Sequence, residues 1–352
     1  MLGLTVYTEC LMRVRDTLGL VLLLACSGVG RADSPDGGLR GKIREKWIQR
    51  QEAKPAPDGL TDPHASLNKP GTYTFQIMHE AMPRYYMVHV PERYNPSNPA
   101  PLLFVLHGGG GDMRIQANDS YYGHISKAEA EAFIAVFPNG ASKFASGKLA
   151  TWNAGRCCGF ARDKNVDDVG FIREIIKTLS QQIQFDKSRV FASGMSNGGM
   201  MAYRLACEMP ETFKAIAAVA GTDNNLSCRP SAPVSILHIH ARDDDHVLFT
   251  GGSGQTFRDK STVTEFTSVP DTITNWVKLN SCTGAPKRVL EKKGSYCERY
   301  TGCRNETSVQ LCVTESGGHS WPGGKKPRML SSGQPSTDIV ANDVMWDFFN
   351  GQ

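Results

Sequence analysis

The residues that could carry chemistry centre on Ser196, in Gly194-Met195-Ser196-Asn197-Gly198. An apolar run at 190–193 precedes it, and a helix is expected to begin near Gly198. G-x-S-x-G between a buried strand and a helix forces a sharp turn that strains the serine backbone and lifts its hydroxyl above a sheet. Glycines at 194 and 198 remove the side chains that would collide there. A serine hydroxyl is a poor nucleophile until a base takes its proton. On this kind of turn the partners follow in the order serine, acid, histidine. The apolar run 235–239 ends in His240-Ala241-Arg242-Asp243-Asp244-Asp245, which puts carboxylates at the carboxyl end of a buried strand. Further on, Gly317-Gly318-His319-Ser320-Trp321-Pro322-Gly323 sets His319 in a glycine- and proline-bounded loop that can overhang a sheet edge. Together these groups could perform acyl transfer.

Such a reaction needs two backbone N–H groups for the developing oxyanion. One belongs to Asn197, directly after the serine. The other is expected in His107-Gly108-Gly109-Gly110-Gly111. That run lacks the Gly-Lys-Ser/Thr ending of a phosphate loop, so nucleotide binding is not read from it. His238, His240 and His246 beside three aspartates invite a metal reading. Hydrogen-bonded histidines at a strand end are the preferred reading, and no metal or other cofactor is assigned.

The elements needed to position these groups can be read from the apolar pattern. Segments 72–78 and 84–90 alternate and suggest an antiparallel pair. Continuous apolar runs at 102–106, 133–137, 190–193, 215–220 and 235–239 suit strands buried on both faces. Val169, Ile172, Ile176, Leu179 and Ile183 form one helical stripe after Asp167-Asp168, and a final helix is expected over 338–350. Strands alternating with helices imply an α/β fold, a mainly parallel sheet with helices on both faces.

The chain has 352 residues, 40% hydrophobic and 21% charged, a globular composition for one α/β catalytic domain over 71–352. A net charge of +4, scattered apart from one N-terminal cluster, does not indicate nucleic acid. Arg13 and Arg15 precede an apolar run too short to span a bilayer, so residues 1–32 read as a signal peptide cleaved after Ala32, for a secreted or periplasmic protein. A lipid anchor at Cys26 is the less favoured alternative, because Leu24 is too bulky for the usual processing site. Residues 33–70 form a basic, Pro/Gly-rich leader. Its segment 39–51 reads as a short amphipathic helix, solvated in preference to docked on an anionic surface.

Eight further cysteines in an exported chain read as disulfides. Segments 296–301 and 308–313 look like a hairpin with Cys297 opposite Cys312. Cys303 then lies near the turn, free to reach Cys282. Cys207 and Cys228 flank one helix–strand unit and could pair. Adjacent Cys157 and Cys158 are left for a vicinal bridge or two free thiols.

Taken together, Leu106-His107-Gly108-Gly109, Thr151-Trp152-Asn153-Ala154-Gly155-Arg156-Cys157-Cys158-Gly159, Val166-Asp167-Asp168-Val169, the Gly194–Gly199 turn and Gly318-His319-Ser320-Trp321-Pro322-Gly323 resemble the polyhydroxybutyrate depolymerase family, which includes feruloyl esterases. The resemblance runs from about Tyr85 to the C-terminus. It implies an α/β-hydrolase esterase with Ser196, Asp244 and His319 as its triad. The acid falls on Asp244 by alignment with the family's His-Gly-Thr-x-Asp pattern; Ala241, Arg242 and Leu248 depart from it, leaving Asp243 and Asp245 as alternatives. It also implies Gly109 and Asn197 as oxyanion donors and Trp321 against the acyl group. Trp152 and Asn153 either shape the pocket or support the cysteine-rich loop. The substrate is an ester: hydroxyalkanoate polyester or its oligomers first, hydroxycinnamoyl esters of plant polysaccharide second. Amide hydrolysis of poly(aspartate) and a catalytically silent surface binding protein are the remaining readings.

Overall fold

The computed structural model describes residues 57–225, 227–252, 254, 265–325 and 334–352. The expected signal peptide, Cys26 and the basic segment 39–51 lie outside the described residues. The strands are β1 (Gly71–His79), β2 (Met82–Val90), β3 (Ala100–Leu106), β4 (Ile134–Pro138), β5 (Phe185–Met195), β6 (Ala215–Val219), β7 (Ser235–Ala241), β8 (Lys287–Lys292), β9 (Ser295–Tyr300) and β10 (Val309–Thr314). They form one sheet in the order β1-β2-β4-β3-β5-β6-β7-β10-β9-β8. From β4 to β10 the neighbours run parallel. Antiparallel strands flank them on both sides.

The helices are α1 (Met113–Gln116), α2 (Asp119–Tyr122), α3 (His124–Glu131), α4 (Gly159–Asp163), α5 (Asp168–Gln182), α6 (Asn197–Glu208), α7 (Val269–Leu279) and α8 (Ala341–Asn350). Strand side chains alternate between faces, so Leu102, Phe104 and Leu106 enter one layer while Leu103 and Val105 enter the other. The first layer holds Ile172 and Leu179 of α5, Met201 and Leu205 of α6, and Trp276 of α7. In the second are Met113 of α1, Ala128 of α3, and Trp346, Phe348 and Phe349 of α8. Both faces of the sheet are therefore covered, which is why its central strands read as unbroken apolar runs. This is the expected α/β class.

Several elements depart from the sequence reading. The short helices α1 to α3, helix α7 and strand β8 were not anticipated. Strand β8 is mostly exposed and rich in charge, so it lacks the apolar signal of a strand. The α7 N-terminus does carry a legible cap: the Ser268 side chain accepts from the Asp271 N–H. The final helix begins at Ala341, three residues later than expected. Residues 57–70, read as the end of a leader, lie against the domain. Leu67 is fully buried, and its N–H donates to the Gln182 carbonyl at 3.0 Å.

Cysteines 207 and 228, 282 and 303, and 297 and 312 are bonded as anticipated. Cys312 stands opposite Cys297 in the β9–β10 register. Cys157 and Cys158 are paired with each other, the vicinal-bridge reading of the two.

Helix α8 is fastened to the sheet by aromatic rings. Trp346 stacks on Phe133 at 4.3 Å, and Phe349 on Phe191 at 4.4 Å. Truncating Trp346 removes a side chain only 2% exposed. Trp346→Ala should therefore cost about 3–5 kcal/mol, read as a lowered urea midpoint with the disulfides intact.

Candidate active site

Strand β5 lies between β3 and β6 and ends at Met195, so Ser196 emerges at the carboxyl edge of the parallel sheet. Its backbone has φ 55° and ψ −122°, outside the regions that L-residues normally occupy. The turn is held by the Ser196 N–H, which donates to the Val219 carbonyl at 2.8 Å. A Cβ on Gly198 would overlap the Leu106 carbonyl oxygen, so α6 can start this close to β3 only with glycine there. Gly221, not singled out in the sequence, plays the same part from the other side: a Cβ there would overlap the Ser196 carbonyl oxygen.

Strands β7 and β10 are parallel neighbours, so the loops leaving them meet. The His319 Nδ1–H donates to Asp244 Oδ2 at 2.8 Å. Asp244 is the only one of the three aspartates that is buried (3% exposed). The other two do different work. Asp243 accepts from the Gly317 and Gly318 amides and so ties down the loop that carries the histidine. Asp245 pairs with His246, whose ring stacks on His319 at 4.7 Å. Of the aspartates left open by the sequence, Asp244 is the one that contacts the imidazole.

Burial pushes the Asp244 carboxyl up, but the charge of His319 and hydrogen bonds from His240 and His319 outweigh it, holding the group well below the ordinary carboxylate range. Oδ1 also accepts from the amides of His246 and Val247 at 2.8 and 2.9 Å. Asp244, Asp245 and His246 bring possible ligand atoms within 4.8 Å of one another. The acceptor positions of Asp244 are already taken by these four donors, so the trio is poorly suited to hold an ion. With Nδ1 donating, Nε2 is the unprotonated nitrogen of neutral His319. Among the described residues Ser196 Oγ makes no hydrogen bond to His319, a contact often completed only when substrate is bound.

The glycine loop after β3 lies against the serine turn. A Cβ on Gly108 would sit 3.6 Å from Ser196 Cβ, and one on Gly109 would sit 3.5 Å from Asn197 Cβ. Gly110 and Gly111 donate their amides to Ala150 and Gly108 carbonyls. The Gly109 amide is uncommitted among the described residues and is exposed. Asn197 is the first residue of α6, where backbone N–H groups have no intrahelical acceptor. Two amides thus flank the space above Ser196.

Trp152 and Asn153 stand behind this site and do not line it. Trp152 is fully buried and donates from Nε1 to the His107 carbonyl at 2.9 Å. Its backbone N–H and carbonyl grip the Asn197 side chain at 2.7 and 3.0 Å. The Asn153 N–H donates to Asp168 Oδ2, and its side chain donates to the Val166 carbonyl. Of the two readings, support of the loop is the one the geometry favours, because neither residue reaches solvent. Asp168 in turn is ion-paired at 2.5 Å with Arg84, both buried. His107 is also buried: Nδ1–H donates to the Gly108 carbonyl and Nε2 accepts from the Gly140 amide. Burial lowers its pKa to about 4, so the ring is neutral and braces the glycine loop.

Trp321 packs edge-on against Tyr122 and His124. It lines a cleft of about 420 Å³ together with Tyr121, Tyr122, Pro322, Lys127 and Asn342. Tyr122 Oη also reaches the Met195 sulfur at 3.8 Å, so the cleft adjoins the serine turn.

Residues 80–321 match the model of the family described as Putative esterase. Feruloyl esterase B of Piromyces equi is 30% identical over 252 residues, covering 69% of this chain and 44% of that protein. A protein named Probable feruloyl esterase C from Aspergillus flavus is 33% identical over 278 residues, with 77% and 86% covered. Acetyl xylan esterase from Aspergillus awamori superposes with a TM-score of 0.52 at 13% identity, over 79% of this chain and 99% of that one, a likeness of fold. The feruloyl esterase side of the expected resemblance is therefore found. With more than half its length matched by the family model, the chain belongs to the Putative esterase family and is a carboxylic ester hydrolase.

Proposed function

We propose that this esterase hydrolyses hydroxycinnamoyl esters of the feruloyl type, through an acyl-enzyme formed on Ser196. The observation that supports the chemistry best is the bond from His319 Nδ1 to buried Asp244, at the sheet edge that carries strained Ser196. The substrate class is supported by two relatives named as feruloyl esterases, and Tyr121, Tyr122 and Trp321 in the adjoining, otherwise mostly polar cleft are compatible with it. This reverses the order read from the sequence, in which polyester stood first. The disulfides among the described residues suit a secreted or periplasmic enzyme. Among the described residues no helix is long and apolar enough to cross a membrane.

In this mechanism His319 Nε2 takes the proton from Ser196 Oγ as the oxygen attacks the ester carbonyl carbon. The tetrahedral oxyanion accepts from the Gly109 and Asn197 amides, fixed dipoles that need no reorganisation during the step. The intermediate collapses, the C–O bond to the alcohol breaks, and the imidazolium returns its proton to the leaving oxygen. Water then attacks the acyl-enzyme with His319 again as base, releasing the acid and Ser196. Trp321 flanks the acyl group. Asp244 remains an anion throughout and keeps His319 in the Nδ1–H tautomer.

Wild type and Ser196→Ala should be compared on methyl ferulate, p-nitrophenyl butyrate, 3-hydroxybutyrate oligomers and poly(aspartate). Methyl ferulate should be the best natural-type substrate, and the variant should lose on the order of 10⁴–10⁶ in kcat. Preference for the oligomers would return polyester to first place, and a wild type as inert as the variant on all four would favour a silent binding protein. Because His319 must be neutral, kcat/KM should rise from acid toward neutral pH; a flat profile counts against His319 as base. Asp244→Asn should cost about 10⁴-fold in kcat. Asp243→Asn, which only loosens the histidine loop, should cost no more than about 10²-fold. The reverse ranking would move the acid to Asp243.

A further inference from the structure

Behind Asp244 the core contains a file of polar rings that ester hydrolysis, as described above, does not use. Tyr203 on α6 and His238 and His240 on β7 are each no more than 1% exposed. Tyr203 Oη lies 2.8 Å from His238 Nδ1, and His238 Nε2 lies 3.0 Å from His240 Nδ1. His240 Nε2 lies 2.8 Å from the Val247 carbonyl and 3.3 Å from Asp244 Oδ2. The file thus reaches the far side of the carboxylate that holds His319.

For a His240 ring that carries a single proton, the direction of every hydrogen in this file follows from its last member. A carbonyl and a carboxylate only accept, so His240 Nε2 must carry a proton. In a neutral ring Nδ1 is then bare and accepts from His238 Nε2–H. His238 Nδ1 is bare in turn, so the Tyr203 hydroxyl must donate to it. Burial, then His240, holds the His238 pKa well below its usual value, which keeps that ring neutral. All the ring nitrogens are satisfied, and all donors point toward Asp244.

The geometry points to Tyr203, His238 and His240 as a positioning relay that sets the orientation and charge of Asp244, and through it the basicity of His319. The inference rests on the proposed roles of Ser196, His319 and Asp244. Two features make the relay more than packing. His240 holds the turn through the Val247 carbonyl and lies 3.3 Å from Oδ2, while the Val247 amide donates to Oδ1. The carboxylate is therefore clamped between His240 and His319. The polarised His240 N–H, 3.3 Å from the oxygen that His319 uses, also offsets charge there, so it makes the imidazolium less favourable and His319 a weaker base.

Other groups bear on these rings and stay unchanged in the test. His246 stacks on His319 and pairs with Asp245, and Asp243 holds the histidine loop. Phe249 packs edge-on against His240. Asp223, bonded to Trp276 Nε1, lies near Tyr203.

The test compares full-length wild type, His240→Phe, His240→Gln, Tyr203→Phe and Tyr203→Phe/His240→Phe on p-nitrophenyl butyrate, with Ser196→Ala as the control. His240→Phe should lower kcat by about 10²-fold with KM unchanged. It should also move the acid limb of kcat upward by roughly one pH unit, because the relieved carboxylate stabilises the imidazolium. Glutamine can place a donor at the former Nε2 position, so His240→Gln should restore most of the rate and the wild-type limb. Tyr203→Phe frees the His238 tautomer and should shift the limb in the same direction by less. The double variant should match His240→Phe alone.

A limb that stays fixed in folded His240→Phe, or additive losses in the double variant, would overturn the relay. Should His240→Phe fail to fold, an unshifted limb in folded Tyr203→Phe, or a His240→Gln enzyme that folds yet loses the wild-type rate and limb, would do so. Failure of the triad itself is read separately, from a Ser196→Ala variant that keeps its activity.

Discussion

The constraint on which the rest of the molecule depends is the backbone of Ser196. A residue held at φ 55° and ψ −122° costs of order 1–3 kcal/mol and persists only where its surroundings over-determine it. Here β5 is fixed on both sides by β3 and β6, and the serine amide is bonded to the Val219 carbonyl. Helix α6 must begin immediately against the end of β3, which glycine at 198 permits. Sheet order supplies the remainder. Because β3 adjoins β5, the glycine loop meets the serine turn, and because β7 adjoins β10, Asp244 meets His319. All these loops leave the carboxyl ends of parallel strands, the edge where open α/β sheets bind ligands.

Around that edge the interior is more polar than a simple core would be. Arg84 and Asp168 are paired with almost no exposure, an arrangement whose desolvation cost can exceed its Coulombic gain. Its use here is geometric. Arg84 also donates to the Asn139 carbonyl, and Asp168 accepts from the Asn153 amide. The pair joins β2 and the α5 N-terminus to two loops that support the site. Neutral His107 and the doubly bonded Asn197 side chain continue the same support toward the Gly109 and Asn197 amides.

The disulfides stiffen the other half of the edge. Cys297–Cys312 ties β9 to β10, the strand that delivers His319, and Cys282–Cys303 ties the connection between them to the end of α7. Cys207–Cys228 joins α6 to the segment after β6. Loops of 15 to 21 residues are closed, each constraining the unfolded chain by about 3 kcal/mol in the chain-entropy description.

The local signals were legible in the sequence because they arise from neighbours along the chain. The serine turn needs its own glycines, the central strands need unbroken apolar runs, and the β9–β10 hairpin sets Cys297 across from Cys312 by register alone. Strand β8 was hidden because it is exposed and charged, and α1 to α3 are too short to display a helical period. The succession Ser196, Asp244, His319 along the chain was legible too. Which of three consecutive aspartates faces His319 was pointed to only by the family resemblance, with two alternatives left open, since successive residues in a turn point in different directions and only packing selects one. In the same way Trp152 and Asn153 sit in a motif beside the site, yet burial turns them into its supports. His238 and His240, two apart on one strand, announced only that they share a face. That this face meets Tyr203 on one side and Asp244 on the other was decided by the packing of α6 against β7 and by the turn at Val247, contacts far apart in sequence that only the tertiary structure brings within hydrogen-bond reach.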